Sequence, residues 1–279
     1  MKANVVSIRV RADLHAALAR GIANLADAER ALGRARSVLI KANFNSPHRS
    51  PATTDPTLIR ALVAVLREHG VTRIQLGDSC GLRWSPAARV HERLGVRPLA
   101  AELDVEPIDF DQGPWQSVAG GGTHLPVVRV AAAATTADLV VYACCVKTHP
   151  AAGFSMSLKH TIGLLPPEQR RFMHRGHMAE KIAEINMAVR PALVLLDARK
   201  CIAAGGPARG WVRRPGRLIL GTDRVAADVE ALKVLAPLCL FGRLRGSPWD
   251  QPQIRQAVAR GLGAQGPGAY EFVELSGTG

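Results

Sequence analysis

Hydrophobic positions along this chain follow two rhythms that alternate. Short apolar runs (VVSIRV, SVLIKANF, LVVYACC, ALVLLD and RLILG) read as strands, several too evenly apolar for either face to meet water. Between them, apolar residues recur at spacings of three and four, which predicts helices over residues 12–32, 57–69 and 179–189 and from Asp223 through Leu235. Local signals mark the boundaries. Asp55-Pro56 opens a helix with Pro where no N–H is needed, and Gly70 stops it. Ser85-Pro86 is expected to cap a helix ending near Leu94, and Asp223 to cap the last long one. Residues 73–77, VEPIDF and residues 125–130 add shorter strands around a Gly120-Gly121-Gly122 turn, residues 155–164 a loop and helix, and YEFVEL a last strand.

Strand and helix thus alternate almost throughout. The pattern predicts an α/β fold with a central, largely parallel or mixed sheet and helices on both faces. With no linker and no repeat, residues 1–279 are expected to form a single domain with loop insertions, a core of about 5–235 followed by a C-terminal extension, 236–279. No apolar stretch reaches the ~18 residues a membrane span needs, since residues 130–146 are interrupted by Asp138. The charged start, MKANVVSIRVRADLH, does not resemble an export signal, so a cytoplasmic protein with no membrane partner is expected.

Charge adds less than its size suggests. Lys and Arg number 36 against 23 Asp and Glu, giving +13, but 29 of the 36 are dispersed arginines. Aromatics are 4% of the chain, and neither a zinc-finger spacing nor an RNA-binding aromatic motif is present, so no nucleic-acid role is expected. A basic field still favours small anions. The five cysteines form no C-x-x-C pair, which argues against a disulfide framework or an iron–sulfur cluster.

The residues just past each strand suggest the chemistry, because ligands of open α/β sheets bind beyond the strands' carboxyl ends. There stand Lys41, Asn43 and Asn45, then Asp78 and Ser79, Lys147 and His149, and finally Asp197. Lys147 and Lys159 facing one cleft would bind a carboxylate or phosphate, and their repulsion would lower one pKa, making a base or imine-forming nucleophile. The plain alternative has Lys159 sitting against its helix dipole and Lys147 paired with an aspartate. Asp78 and Asp197 are candidate ligands for a divalent metal, the one cofactor the residues suggest. His174 and His177 have the i, i+3 spacing of a metal pair, but Gly176 between them favours a surface loop. The Gly205-Gly206-Pro207 loop, with Arg209 beyond it, reads equally as a mobile cover or an ordinary flexible loop. Dinucleotide, P-loop and nucleophile-elbow signatures are missing.

The segments VLIKANFNSP, TTDPTLIRALVAVLREHGVTRIQLGDS, VKTHPAAGFSMSLKHTIGLLP, DARKCIAAGGP and LILGTDRVAADVEAL occur in an order and spacing that resembles the bacterial and archaeal "domain of unknown function 362" family, from about Val5 to Leu235. Members often have Pro where this chain has Ala42 and Asn where it has His160, and many carry a ferredoxin-type cysteine cluster that this chain lacks. The resemblance implies a site more than a reaction. Together the residues and the resemblance suggest an enzyme acting on a small anionic molecule. Lys147, His149 and Lys159 would be catalytic, and Lys41, Asn43, Asn45, Asp78, Ser79, Ser155 and His160 would bind the substrate. Two alternatives stay open: a non-catalytic binder of an anion or cofactor, and an accessory protein of a redox or cofactor-assembly system. Oligomeric state is not legible.

Overall fold

In the computed structural model, described for residues 3–119, 122–240 and 244–277, one mixed sheet runs through the whole chain. Its strands are β1 (Ala3–Arg9), β2 (Ser37–Lys41), β3 (Arg73–Asp78) and β4 (Glu106–Asp109). A separate antiparallel hairpin follows, β5 (Trp115–Ala119) with β6 (Val127–Ala131). The sheet resumes with β7 (Leu139–His149), β8 (Gly153–Ser155), β9 (Leu193–Gly205), β10 (Gly210–Arg213), β11 (Arg217–Gly221) and β12 (Tyr270–Leu275). The spatial order is β12-β1-β11-β9-β7-β2-β3-β4, with β8 added to β7 and β10 to β9. The block β9-β7-β2-β3-β4 is parallel, while β11 runs antiparallel to both β9 and β1.

Helices cover both faces, as the uniformly apolar strands require. They are α1 (Leu14–Ala23), α2 (Ala26–Leu32), α3 (Pro56–Glu68), α4 (Ala87–Leu94), α5 (Val96–Glu102), α6 (Ala133–Thr136), α7 (Ser157–His160), α8 (Pro167–Met173), α9 (Met178–Ala188), α10 (Arg224–Leu235) and α11 (Pro252–Ala259). Val38 and Ile40 of β2 point into one core with α1, α2, α3 and α5, and Leu39 between them points into the other with α9, α10 and α11. Residues 12–32 form two helices rather than one, because Leu25 leaves helical geometry (φ −114°, ψ 80°) to bury its side chain. Asp13, Asp55 and Asp223 cap their helices through side-chain oxygens. Ser85 does not: Pro86 precedes α4 without a side-chain bond. The β5–β6 connection includes Gly122, while Gly120 and Gly121 lie outside the described residues.

Two strands run further than their apolar runs suggest, and this shapes the site. β7 continues through Lys147 and His149 and doubles back as β8, placing Ser155 opposite Lys147. β9 continues past Asp197 to Gly205 and returns as β10, so the expected Gly-rich cover loop is largely a β-hairpin.

Candidate functional site

β2, β3 and β7 are parallel neighbours, so their carboxyl ends open at one edge of the sheet. There lies a cavity of about 680 Å³, bounded by Lys41, Asn43 and Asn45, by Asp78 and Ser79, by Lys147, His149 and Ser155, and by Lys159 and His160. Ten residues expected from the sequence to bind or act on a ligand are thus brought together. Asp197 is not among them. Its carboxylate is held by Arg199 at 2.9 and 2.7 Å, away from the cavity wall. Both oxygens of Asp78 are also engaged, one by Lys41 Nζ at 2.7 Å and the other by the Phe44 N–H at 2.6 Å. Among the described residues no three His, Cys, Asp or Glu side chains are grouped to hold a metal ion. The two aspartates named as candidate metal ligands thus do not share one wall, Asp78 bordering the cavity and Asp197 lying outside its lining.

The three lysines differ in how they are held. Lys41 is buried and bonded to Asp78 and to the Ala42 carbonyl. Lys147 is equally buried, yet its partners are neutral, Asn43 Oδ1 at 3.2 Å and the Ala52 carbonyl at 2.5 Å. Burial lowers its pKa, with Lys41 adding to the effect. Lys159 has no hydrogen-bond or ion-pair partner among the described residues and borders the cavity. Burial first, then the charges of Lys147 and Lys41, bring it down to about 8. The plain alternative fails for Lys147, which pairs with no aspartate; Lys159 does stand in the last turn of α7, though its ammonium bonds no carbonyl there.

His149 and His160 are neutral. His149 Nδ1 accepts the N–H groups of Ala151 and Ala152, both at 3.2 Å, so its proton sits on Nε2. Burial and the neighbouring Lys159 and Lys147 depress it to about 3, which makes it a donor and not a base near pH 7. His160 Nε2 donates to the Lys41 carbonyl at 2.9 Å, and burial keeps its pKa well below the ordinary value. His174 turns to the cavity, whereas His177 stacks on His124 at 4.4 Å, so the two do not form a metal pair.

Several further neighbours shape the site, and of these the sequence suggests only Asp228, as a supporting or a solvated carboxylate. Asp228 is fully buried in α10 and accepts the Ser157 N–H (2.8 Å), the Ser157 hydroxyl (2.6 Å) and the Leu158 N–H (3.0 Å). It anchors the start of α7 and thereby positions Lys159 and His160. Gly163 packs so closely that a Cβ there would run into Asp78 Oδ1 and Lys41 Nζ. Arg170, paired with Asp111 at 2.6 Å, and His48, Cys80, Arg83 and Trp84 complete the wall. The Cys80 thiol is pushed up to about 12 by burial, and buried Cys145 to about 11.

A family model described as "Domain of unknown function (DUF362)" matches residues 38–233. The chain belongs to this family. Every residue of the cavity wall falls inside the DUF362 match, from Lys41 to Arg209. "Thylakoid-associated protein sll1697" of Synechocystis sp. is 27% identical over 207 residues, covering 71% of this chain and 62% of that protein. The chain therefore spans less than two thirds of that relative. Among solved structures, the lactate racemase apoprotein from Thermoanaerobacterium thermosaccharolyticum matches with a TM-score of 0.56 at 12% identity, over 83% of this chain and 57% of that one. That likeness shows a shared α/β fold. No helix of the described residues is long and apolar enough to cross a membrane.

Proposed function

We propose that this DUF362 protein is an enzyme that binds a small carboxylate or phosphate at the lysine end of the cleft and acts on it by proton transfer. The observation that carries the reading is Lys159. It is the lysine of the three with no protein partner among the described residues, and its pKa of about 8 leaves it able to give or take a proton near neutral pH. Lys41 and Lys147, fixed by their hydrogen bonds, supply positive charge without rearranging. His149 offers its Nε2–H to the anion or to a developing oxyanion. Ser79 and Ser155 add hydroxyls, and Asp78 orients Lys41. The fold neighbour is named for lactate, a small carboxylate, which agrees in class. A cytoplasmic setting is part of the proposal and suits five unpaired cysteines.

A thermal-shift series on the full chain with phosphate and acetate, at low and high salt, tests the binding step. Both anions should stabilise the protein, less so at high salt, and Lys159→Gln should remove most of the shift. Its persistence in the folded variant would sink the assignment. Wash-in of solvent deuterium beside the carboxylate, measured by NMR on hydroxy acids, separates enzyme from binder. Exchange that Lys159→Gln abolishes supports the enzyme, while binding without exchange across the series favours a carrier or sensor.

Opposite pH trends are expected. Anion affinity, which needs protonated Lys159, should fall as pH rises through about 8, whereas exchange, which needs the free amine, should climb over the same interval.

A further inference from the structure

The cleft is roomier than a phosphate or a three-carbon acid requires. At about 680 Å³ it has the volume of pockets that take drug-sized ligands. Apart from Arg170, which Asp111 neutralises, its cations fall into two groups. Lys41 and Lys147 are buried with Lys159 beside them, while Arg83 and Arg209 are exposed.

The outer group is organised. Arg209 Nε donates to His48 Nε2 at 2.8 Å, His48 meets Trp84 edge-on at 5.3 Å, and the Arg83 guanidinium lies 5.4 Å from the Trp84 ring centre. These four side chains come from the loop after β2, the turn after β3 and the β9–β10 hairpin, and they form one connected band on the cavity wall. Leu82 and Ile162 add apolar wall to the same cavity. Some arginines elsewhere are neutralised by carboxylates (Arg60 by Glu102, Arg129 by Glu168, Arg217 by Glu274), and others, such as Arg49 and Arg89, have no such partner among the described residues; what distinguishes Arg83 and Arg209 is their place on the cavity wall. Arg83 and Arg209 have no carboxylate partner among the described residues, and a guanidinium with free N–H groups is suited to a second carboxylate or phosphate.

We infer that the cleft takes an extended ligand with two anionic groups joined by an apolar or aromatic segment, one group at Lys41, Lys147 and Lys159 and the other at Arg83 and Arg209. The inference rests on the proposed anion binding at the lysine end and narrows its substrate class. Trp84 would carry the middle segment on its ring, and the second charge would discriminate against simple monoanions.

Calorimetric titration of the full chain at fixed ionic strength, comparing acetate with the diacids from malonate to adipate, tests this. One spacer length should bind about tenfold more tightly than acetate, the gain expected of one charge-assisted contact. In the variant Arg83→Gln/Arg209→Gln the ratio of diacid to acetate affinity should collapse to near one. A ratio near one in the parent protein, or a ratio that survives in the variant, overturns the two-ended ligand while leaving the inner anion site standing. If neither acetate nor any diacid binds, the anion-binding reading itself fails and this inference falls with it.

Discussion

Strands β3 and β9 both reach an aspartate after an apolar run, Asp78 after RIQLG and Asp197 after ALVLL, and the two carboxylates have opposite fates. β3 stops at Asp78, whose counter-charge comes from Lys41 on the neighbouring strand, in a pair almost wholly removed from water. β9 goes on, and Asp197 is neutralised from within, since residues two apart on a strand share a face and Arg199 closes on it in a bidentate pair. A strand-end carboxylate thus enters the site when its partner lies across the sheet, and becomes local packing when its partner is two residues along.

The contrast can be broken experimentally. Asp78→Ala should have the largest effect, because it leaves the Lys41 ammonium and the Phe44 N–H buried without their acceptor. A loss of about 3–5 kcal/mol is expected in urea unfolding. Lys159→Met acts with the opposite sign. A lysine brought from 10.5 to about 8 binds fewer protons folded than unfolded between those pH values, so its charge costs stability below about 8 and the cost fades as pH rises toward 10.5. At pH 7 the variant should be more stable than its parent by up to roughly 3 kcal/mol, with the gap closing in alkali. Equal stabilities at pH 7 would show that the charge is not desolvated.

Gly163→Ala sharpens the same contrast from the packing side. Its methyl group has no space against the Lys41–Asp78 pair, and a loss of about 1–3 kcal/mol, together with weakened phosphate binding, should follow. Asp197→Ala should do least. Arg199 keeps Asp55 at 3.8 Å and Thr57 Oγ1 at 3.1 Å, so a cost of about 1 kcal/mol with unchanged phosphate affinity is expected. A fall in affinity on the scale of Lys159→Gln would return Asp197 to the site.

Where the architecture depends on local pattern, it was legible in the sequence: β11, the Asp223-capped α10, and strands buried on both faces. Part of the lysine end was legible because Lys41 and Lys147 follow directly on the apolar runs of β2 and β7. The rim was not. Arg209 stands in a loop that the sequence allows to cover the cleft, but its neighbours His48 and Trp84 lie in separate loops and meet it only once β2, β3 and β9 are assembled. For Asp228 the sequence leaves open a carboxylate supporting the site or a solvated one, because the choice depends on Ser157 and Leu158 packing against α10. The protonation state of His149 was equally hidden, because it is set by two backbone N–H groups and not by the histidine's position in a motif.

The hairpin that carries Arg209 is tied down at its base. Thr148 Oγ1 lies 3.2 Å from the Ile202 carbonyl and 3.3 Å from that of Gly205, and Gly206 packs so closely on the Thr148 carbonyl that a side chain there has no room. Arg209 therefore stands on a hairpin braced against β7 at its base. Under the proposed function, a ligand would pass Arg209 without the base of this hairpin having to reorder, so its exchange would follow diffusion past a braced frame.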